Sequence, residues 1–320
     1  VNSFEEYEQA AHSGRPALQL LSLGAGVQST ALTLMAVGGE LGRLDGAIFA
    51  DTGWEPRRVY THVDRLEVEL SKAGIPLYRV RKGNLRADTL DPATRFVSVP
   101  YFTRNADGTE GMGRRQCTAE YKLGPINRKV RELLGAAPPN YRTVPRGRTA
   151  VQWIGFSSDE IHRVNDRREN RYTTKRYPLI ELGMSRKDCE RWLRARGWGD
   201  VAKSACLGCP YHGNAQWRAI RRNAEEWADV VDFDHRIRKG GIRSGRPELD
   251  GEAFLHRSRV PLETAPIGRI TRTERVDAQL EIYDEFAEQG DPNGCSPYGC
   301  RSGVPTVAKL RLGEEAQRGA

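Results

Sequence analysis

The sequence predicts an α/β fold: a parallel twisted sheet flanked by helices, followed by a mostly helical, cysteine-containing C-terminal part. Three observations lead there. Leu18 to Ser29 is an apolar run ending in small residues, and a helical apolar pattern follows through Ala31, Leu32, Leu34 and Met35. Short apolar runs and helical stretches then alternate as far as Val80. Strand alternating with helix means a parallel sheet with right-handed crossovers. Later in the chain the pattern is helical, with Cys206-Leu-Gly-Cys209 between the helices.

Each element has a local reason. Gly24 and Gly26 let the backbone turn sharply and approach a ligand closely. The N–H groups of the next helix, with the Ser22, Ser29 and Thr30 hydroxyls, suit an anion such as phosphate. No Gly-Lys-Ser/Thr follows, so the loop is not a Walker A, and Ser29 breaks the Gly-x-Gly-x-x-Gly dinucleotide pattern. Gly38-Gly39 ends the helix. Gly46 to Ala50 is a second strand, running into Asp51-Thr-Gly-Trp-Glu55-Pro56. Pro56 suits a helix start, and Val59, Val63, Leu66 and Leu70 line one face of a helix reaching about Ala73. Gly74 stops it, and Ile75 to Val80 is a third strand. Parallel sheets bind ligands at the carboxyl ends of their strands, so the glycine loop and Asp51 to Glu55 are expected at one site.

Residues 81–116 are polar and punctuated by Gly and Pro, which predicts a long active-site loop or insertion. A helix follows Pro125 up to Leu134, and 136–148 is a linker rich in Pro and Arg. Val151 to Phe156 is a strand, followed by Ser157 to Arg163. Residues 164–178 are basic and expected to be exposed, and Ser185 caps a helix from Arg186 to about Arg196. Helices rich in Trp and Arg span Trp217 to Ile237, 239–273 is poorly patterned, and Val276 to Glu288 is a last helix. The domain expectation is an α/β nucleotide-binding part, 1–180, and a helical metal-binding and substrate-recognition part, 181–320.

At 320 residues, 38% hydrophobic and 29% charged, the chain has the composition of a globular protein with a full core. It has no run of about 18 apolar residues to span a membrane. Val1 to Gly14 lacks an apolar signal core, so the expected location is cytoplasmic. The net charge of +8 and pI of 9.3 suit nucleic acid or an anionic nucleotide, and also a merely basic surface. Six cysteines in a cytoplasmic chain do not suggest a disulfide framework. Cys206 and Cys209 form a C-x-x-C, Cys295 and Cys300 lie close together, and Cys117 and Cys189 stand alone.

Three stretches together carry a resemblance: Ser22 to Ser29, Asp51-Thr-Gly-Trp-Glu55, and Cys117-Thr-Ala-Glu-Tyr-Lys122-Leu-Gly-Pro125-Ile-Asn-Arg128. In order and rough spacing they resemble the phosphoadenosine-phosphosulfate reductase-like family, over about residues 18–230. That family lies within the adenine-nucleotide hydrolase-like superfamily of PP-loop ATP pyrophosphatases, which has a Rossmann-like fold. Its members include sulfonucleotide reductases and the ATP pyrophosphatases of DNA phosphorothioation. The superfamily loop Ser-Gly-Gly-x-Asp-Ser is written here Gly24-Ala25-Gly26-Val27-Gln28-Ser29, with Gly24 for the first Ser and Gln28 for Asp. In the iron–sulfur members a Cys-Cys pair precedes Lys-x-x-Pro, and a C-x-x-C lies further on. Cys117 matches the first of that pair, Thr118 replaces the second, and Cys206 and Cys209 match the later pair.

The resemblance thus implies ATP on Ser22, Gly24, Gly26, Gln28, Ser29 and Thr30, and a [4Fe–4S] cluster on Cys117, Cys206 and Cys209. Such a cluster needs four thiolates. Cys189, on the helix before the C-x-x-C, is chosen as the fourth; the alternatives are a core role for Cys189 and supply from Cys295 or Cys300. Four thiolates also suit structural Zn²⁺. Asp51 and Glu55 suit Mg²⁺ or ribose hydroxyls, with helix capping as the alternative for Glu55. Lys122 and Arg163 are placed to meet phosphate, and Asp51, Lys122 and Arg163 are the expected catalytic residues.

The expected function is an ATP pyrophosphatase that adenylates a substrate during sulfur transfer to DNA or tRNA, with a cysteine desulfurase or other sulfur donor as partner. A sulfonucleotide reductase is the first alternative, but the reductases' terminal Glu-Cys-Gly-[Leu/Ile]-His is missing around Cys295 and Cys300. A non-catalytic nucleic-acid-binding partner with structural zinc is the second.

Overall fold

The computed structural model describes residues 17–94, 99–164, 170–240, 248–271 and 274. The expected N-terminal arm, the Val276 to Glu288 helix, Cys295 and Cys300 lie outside them.

Five parallel strands form the main sheet: β1 (Leu18–Leu23), β2 (Gly46–Asp51), β3 (Leu77–Arg81) and, after two further short strands, β6 (Ala150–Trp153) and β7 (Thr173–Arg176). Their order is β3-β2-β1-β6-β7, with β1 central. In register, Leu20 stands opposite Gly46 on one side, and Gln152 opposite on the other. Gln19 accepts a hydrogen bond from the Trp153 indole at 2.8 Å, which ties β1 to β6.

Strand alternation sorts the side chains to two faces. Leu21, Leu23, Ala47, Phe49, Val151 and Trp153 belong to one core, covered by α1 (Val27–Val37), α2 (Arg57–Lys72) and, later in the chain, α6 (Arg186–Arg194). The α2 face expected from Val59, Val63, Leu66 and Leu70 is the buried one. Leu20, Ile48, Ala50 and Ala150 belong to the opposite core with Ile126 and Val130 of α4 (Gly124–Leu133). Burial on both faces explains why these strands read as continuous apolar runs.

Residues 81–116 are more ordered than a loop. They hold α3 (Leu85–Leu90) and an antiparallel pair, β4 (Phe102–Asn105) and β5 (Glu110–Met112). β4 also pairs with β8 (Gly251–Phe254), from the stretch that reads as poorly patterned. The basic stretch 164–178 likewise contains β7, an edge strand, and α5 (Pro178–Glu181) follows it. Arg176 lies over the Trp153 ring at 4.9 Å and pairs with Glu181.

A third core starts at Trp54, just past β2. It gathers Leu85, Tyr121, Cys206, Leu207, Trp217 and Ile220 of α7 (Asn214–Arg221), and Val230 and Phe233 of α8 (Ala224–Arg236). Buried Asp234 fastens the return of the chain here, accepting from the Leu255 and Leu262 amides and pairing with Arg238. No helix among the described residues is long and apolar enough to cross a membrane.

Candidate functional site

The site lies where the strand order reverses. Moving outward from β1, connections run one way through β2 to β3 and the other way through β6 to β7. A ligand crevice is expected outside the carboxyl ends of β1 and β6, between the loops that follow them. The glycine loop Gly24–Gly26 follows β1, and Gly155 follows β6.

The left-handed residue of the glycine loop is Ala25, at φ 59°, and not either glycine. Gly26 is extended and starts α1. Its amide donates to Ser29 Oγ at 3.1 Å. Gly155 backs directly onto the loop: a Cβ there would come within 3.2 Å of the Ser29 nitrogen. The expected hydroxyls divide. Ser22 is buried in β1, and Ser29 faces the loop. The Thr30 hydroxyl instead turns into the core and meets His62 Nε2 at 2.8 Å.

Gln28 reaches from α1 to the loop after β6. Its Nε2 donates to Glu160 Oε2 at 2.9 Å and to Ser157 Oγ at 3.4 Å. Glu160 is buried in a short 3₁₀ turn (Ser158–Arg163) after β6 and pairs with Arg163, whose side chain is also buried. Arg163 lies 4.6 Å over the Phe156 ring. Arg163, expected from the sequence to meet phosphate, thus stands on the loop after β6 and is held by Glu160. Ser157-x-x-Glu160 is a capping-box spacing, a signal for the turn but not for its contact with Gln28.

The second half of the site follows β2. Asp51 is a brace: it accepts from the Gly53 amide (2.7 Å), the Tyr60 hydroxyl (2.8 Å) and Arg81 (Nε, 2.9 Å). Burial and the bond to Asp51 raise the Tyr60 phenol well above its usual range. Glu55, 4% exposed, is the functional-looking carboxylate. Its Oε1 accepts from Thr52 Oγ1 (3.0 Å) and Cys206 Sγ (3.4 Å) and lies 3.7 Å from Lys122 Nζ. Its Oε2 is buried with no hydrogen-bond partner. Lys122 reaches this point from a π-helical turn, Thr118–Leu123, which runs into α4.

The cysteine turn closes over this group. Cys209 N–H donates to the Cys206 carbonyl at 3.1 Å, and Leu207 N–H to the Trp54 carbonyl at 2.9 Å. Gly208 packs on the Trp54 indole so closely that a Cβ would sit 2.1 Å from the ring. His212 accepts no charge here: burial pulls it down to about 4, and its Nε2–H donates to the Cys206 carbonyl at 2.9 Å.

Cys117 and Cys206 share the third core, whereas Cys189 packs in the first with Leu193 and the α1 side of the sheet. Burial pushes the Cys189 thiol up to about 12. Among the described residues, no group of three or more His, Cys, Asp or Glu side chains is placed to hold a metal ion. Within the set Cys117, Cys189, Cys206 and Cys209, Cys189 stands in a different core from Cys117 and Cys206. Cys189 parts from it because its helix lies against α1, and helix packing turns the thiol into that core.

Of the other basic residues, Arg128 lies 5.1 Å over the Tyr141 ring, and Arg218 pairs with Glu274 and donates to the Ile267 carbonyl. Arg218 thus serves the packing of the C-terminal part. No protein-family model matches the chain, and no characterised protein matches it in sequence.

Proposed function

We propose that this chain is an ATP pyrophosphatase-type enzyme that adenylates a nucleic-acid acceptor during sulfur transfer. One observation carries the reading: a glycine loop and a helix start with no acidic residue in its first turn stand at the reversal point of a parallel sheet, with Arg163 on the loop after β6. Nucleotide phosphates favour such a place, because backbone N–H groups and the helix dipole meet their charge.

In this reading the α- and β-phosphates lie on Gly24–Ser29. An acceptor oxygen attacks the α-phosphorus, the bond to the β-phosphate oxygen breaks, and pyrophosphate leaves. A sulfur nucleophile from a cysteine desulfurase or similar donor then displaces AMP. Arg163 and Lys122 offset the charge that builds on the departing group. The unpartnered Glu55 Oε2 fits a divalent cation such as Mg²⁺, which takes one or two carboxylates and otherwise phosphate and water. Such a cation supplies further charge neutralisation at the phosphates. Asp51 keeps Arg81 and the 51–55 loop in place and does not enter the chemistry.

The test is anaerobic incubation of the full chain with ATP and Mg²⁺, with and without DNA or tRNA. The expected products are pyrophosphate and an adenylated acceptor, from which added sulfide releases AMP. Orthophosphate with ADP, or sulfite from adenylyl sulfate and a thiol reductant, would overturn the reading.

A further inference from the structure

At the start of α1 Ser29 Oγ takes the Gly26 amide, and the N-cap gives the N–H groups that follow no side-chain acceptor. That N-cap is Gly26, and the first turn has no acidic residue. The first N–H groups of a helix lack intrahelical acceptors, and its N-terminus carries partial positive charge. Across from this end stands Ser204, two residues before the cysteine turn. A Cβ built on Gly26 would lie 3.8 Å from Ser204 Cβ.

Ser204 is 5% exposed, and its Oγ is buried with no hydrogen-bond partner. A buried hydroxyl without a partner is costly, and alanine would fill the same space without that cost. A buried polar atom left unpaired in a folded chain has an ion or water among its explanations. Here the helix end names the kind: an anion with acceptor oxygens. Glu160, the carboxylate that Gln28 reaches, pairs with Arg163, so the loop after β6 brings a cation as well as an acid to this end.

We infer that Ser204 donates its hydroxyl to a phosphate oxygen of the anion seated on Gly24–Ser29, so that the segment leading into the cysteine turn forms the second wall of the phosphate subsite. This rests on the nucleotide reading above and adds a residue and a wall to it. It also ties the two halves of the site. The Ser204 Cβ lies beside Gly26 of the glycine loop, and Cys206, two residues on, contacts Glu55 and Thr52. Filling the subsite fixes the segment on which Cys206 stands.

The experiment is calorimetric titration of the full chain with inorganic pyrophosphate and with ATP, comparing Ser204→Ala and Ser204→Asp with the native protein, and thermal unfolding of each without ligand. Ser204→Ala is expected to bind both ligands at least tenfold more weakly, the loss of one hydrogen bond to a charged group. It is expected to melt no lower than the native chain. Ser204→Asp brings a carboxylate to the helix end in place of the ligand, so it is expected to lose binding and to melt higher. Native affinity in either folded variant overturns the inference and leaves the nucleotide reading standing. A native chain that binds neither pyrophosphate nor ATP overturns the nucleotide reading itself.

Discussion

At the scale of single residues, the polar groups at the crevice divide by whether their partners are already in the chain. Asp51 has three sets of donors, while Glu55 keeps one oxygen unpartnered in a fully buried place. Their sequence context hides this, because the donors to Asp51 come from Tyr60 and from Arg81 on the next strand. Cys189 is the opposite case, a residue whose burial explains it completely. Its thiol sits among Leu193 and the α1 face, and desolvation keeps it protonated. Cys189→Ala is expected to cost about 1–2 kcal/mol of stability, the transfer and cavity terms for one buried sulfur. It is expected to leave iron and zinc content per chain unchanged, by metal analysis of anaerobically purified protein beside a urea unfolding curve. Metal lost from a folded Cys189→Ala protein would return the residue to a ligand role.

Among the elements, what could be read early was what is local. β1, α1, β2, α2, β3 and β6 announce themselves through apolar runs and one-sided helical spacing, and their ends fall within a few residues of expectation. β7 was illegible because Thr-Thr-Lys-Arg has no apolar side chain, and as an edge strand it buries little. β4 and β8 are short, and each is defined by a partner about half the chain away. The fit of the cysteine turn against the loop after β2 is non-local in the same way. Nothing in Cys-Leu-Gly-Cys says that Gly208 must carry the Trp54 ring. Yet that contact holds the turn at Glu55, together with the Leu207–Trp54 backbone bond. Gly208→Ala drives a methyl into the indole, which itself donates to Asp229 at 2.6 Å and packs 4.5 Å from Phe233. The expected cost is roughly 1–3 kcal/mol for overpacking. As the turn is pushed off Trp54, Cys206 is expected to alkylate faster with iodoacetamide, read by mass spectrometry. An unchanged midpoint and alkylation rate would mean the turn does not depend on this contact.

For the whole molecule, three histidines in different places set a common response to acid. His62 meets the Thr30 hydroxyl under the sheet, His212 holds the cysteine turn, and His256 meets Asn214 Oδ1 (3.1 Å) and Ser258 in the C-terminal part. Burial is the largest cause in each, and each is pulled down from 6.5 to about 4. A neighbouring cation adds to the effect: Arg65 at His62, Lys203 at His212 and Arg257 at His256. The folded chain therefore binds these protons less readily than the unfolded chain does. Their contribution to stability is fully present above pH 6.5 and is lost as pH falls from there toward 4. Because the unfolded state gains up to one proton at each site, the slope in that window is steeper than any one histidine would give. Melting temperature is expected to be flat between pH 8 and 7 and to fall continuously between about pH 6.5 and 4.5. His212→Gln, which keeps an N–H for the Cys206 carbonyl without a titrating group, is expected to flatten that fall by about a third. A native chain whose melting temperature is the same at pH 7 and pH 5 would show that these histidines are protonated in the folded state after all. The same dependence bears on the proposed reaction, since one of the three is the histidine bracing Cys206, beside Glu55 and Lys122.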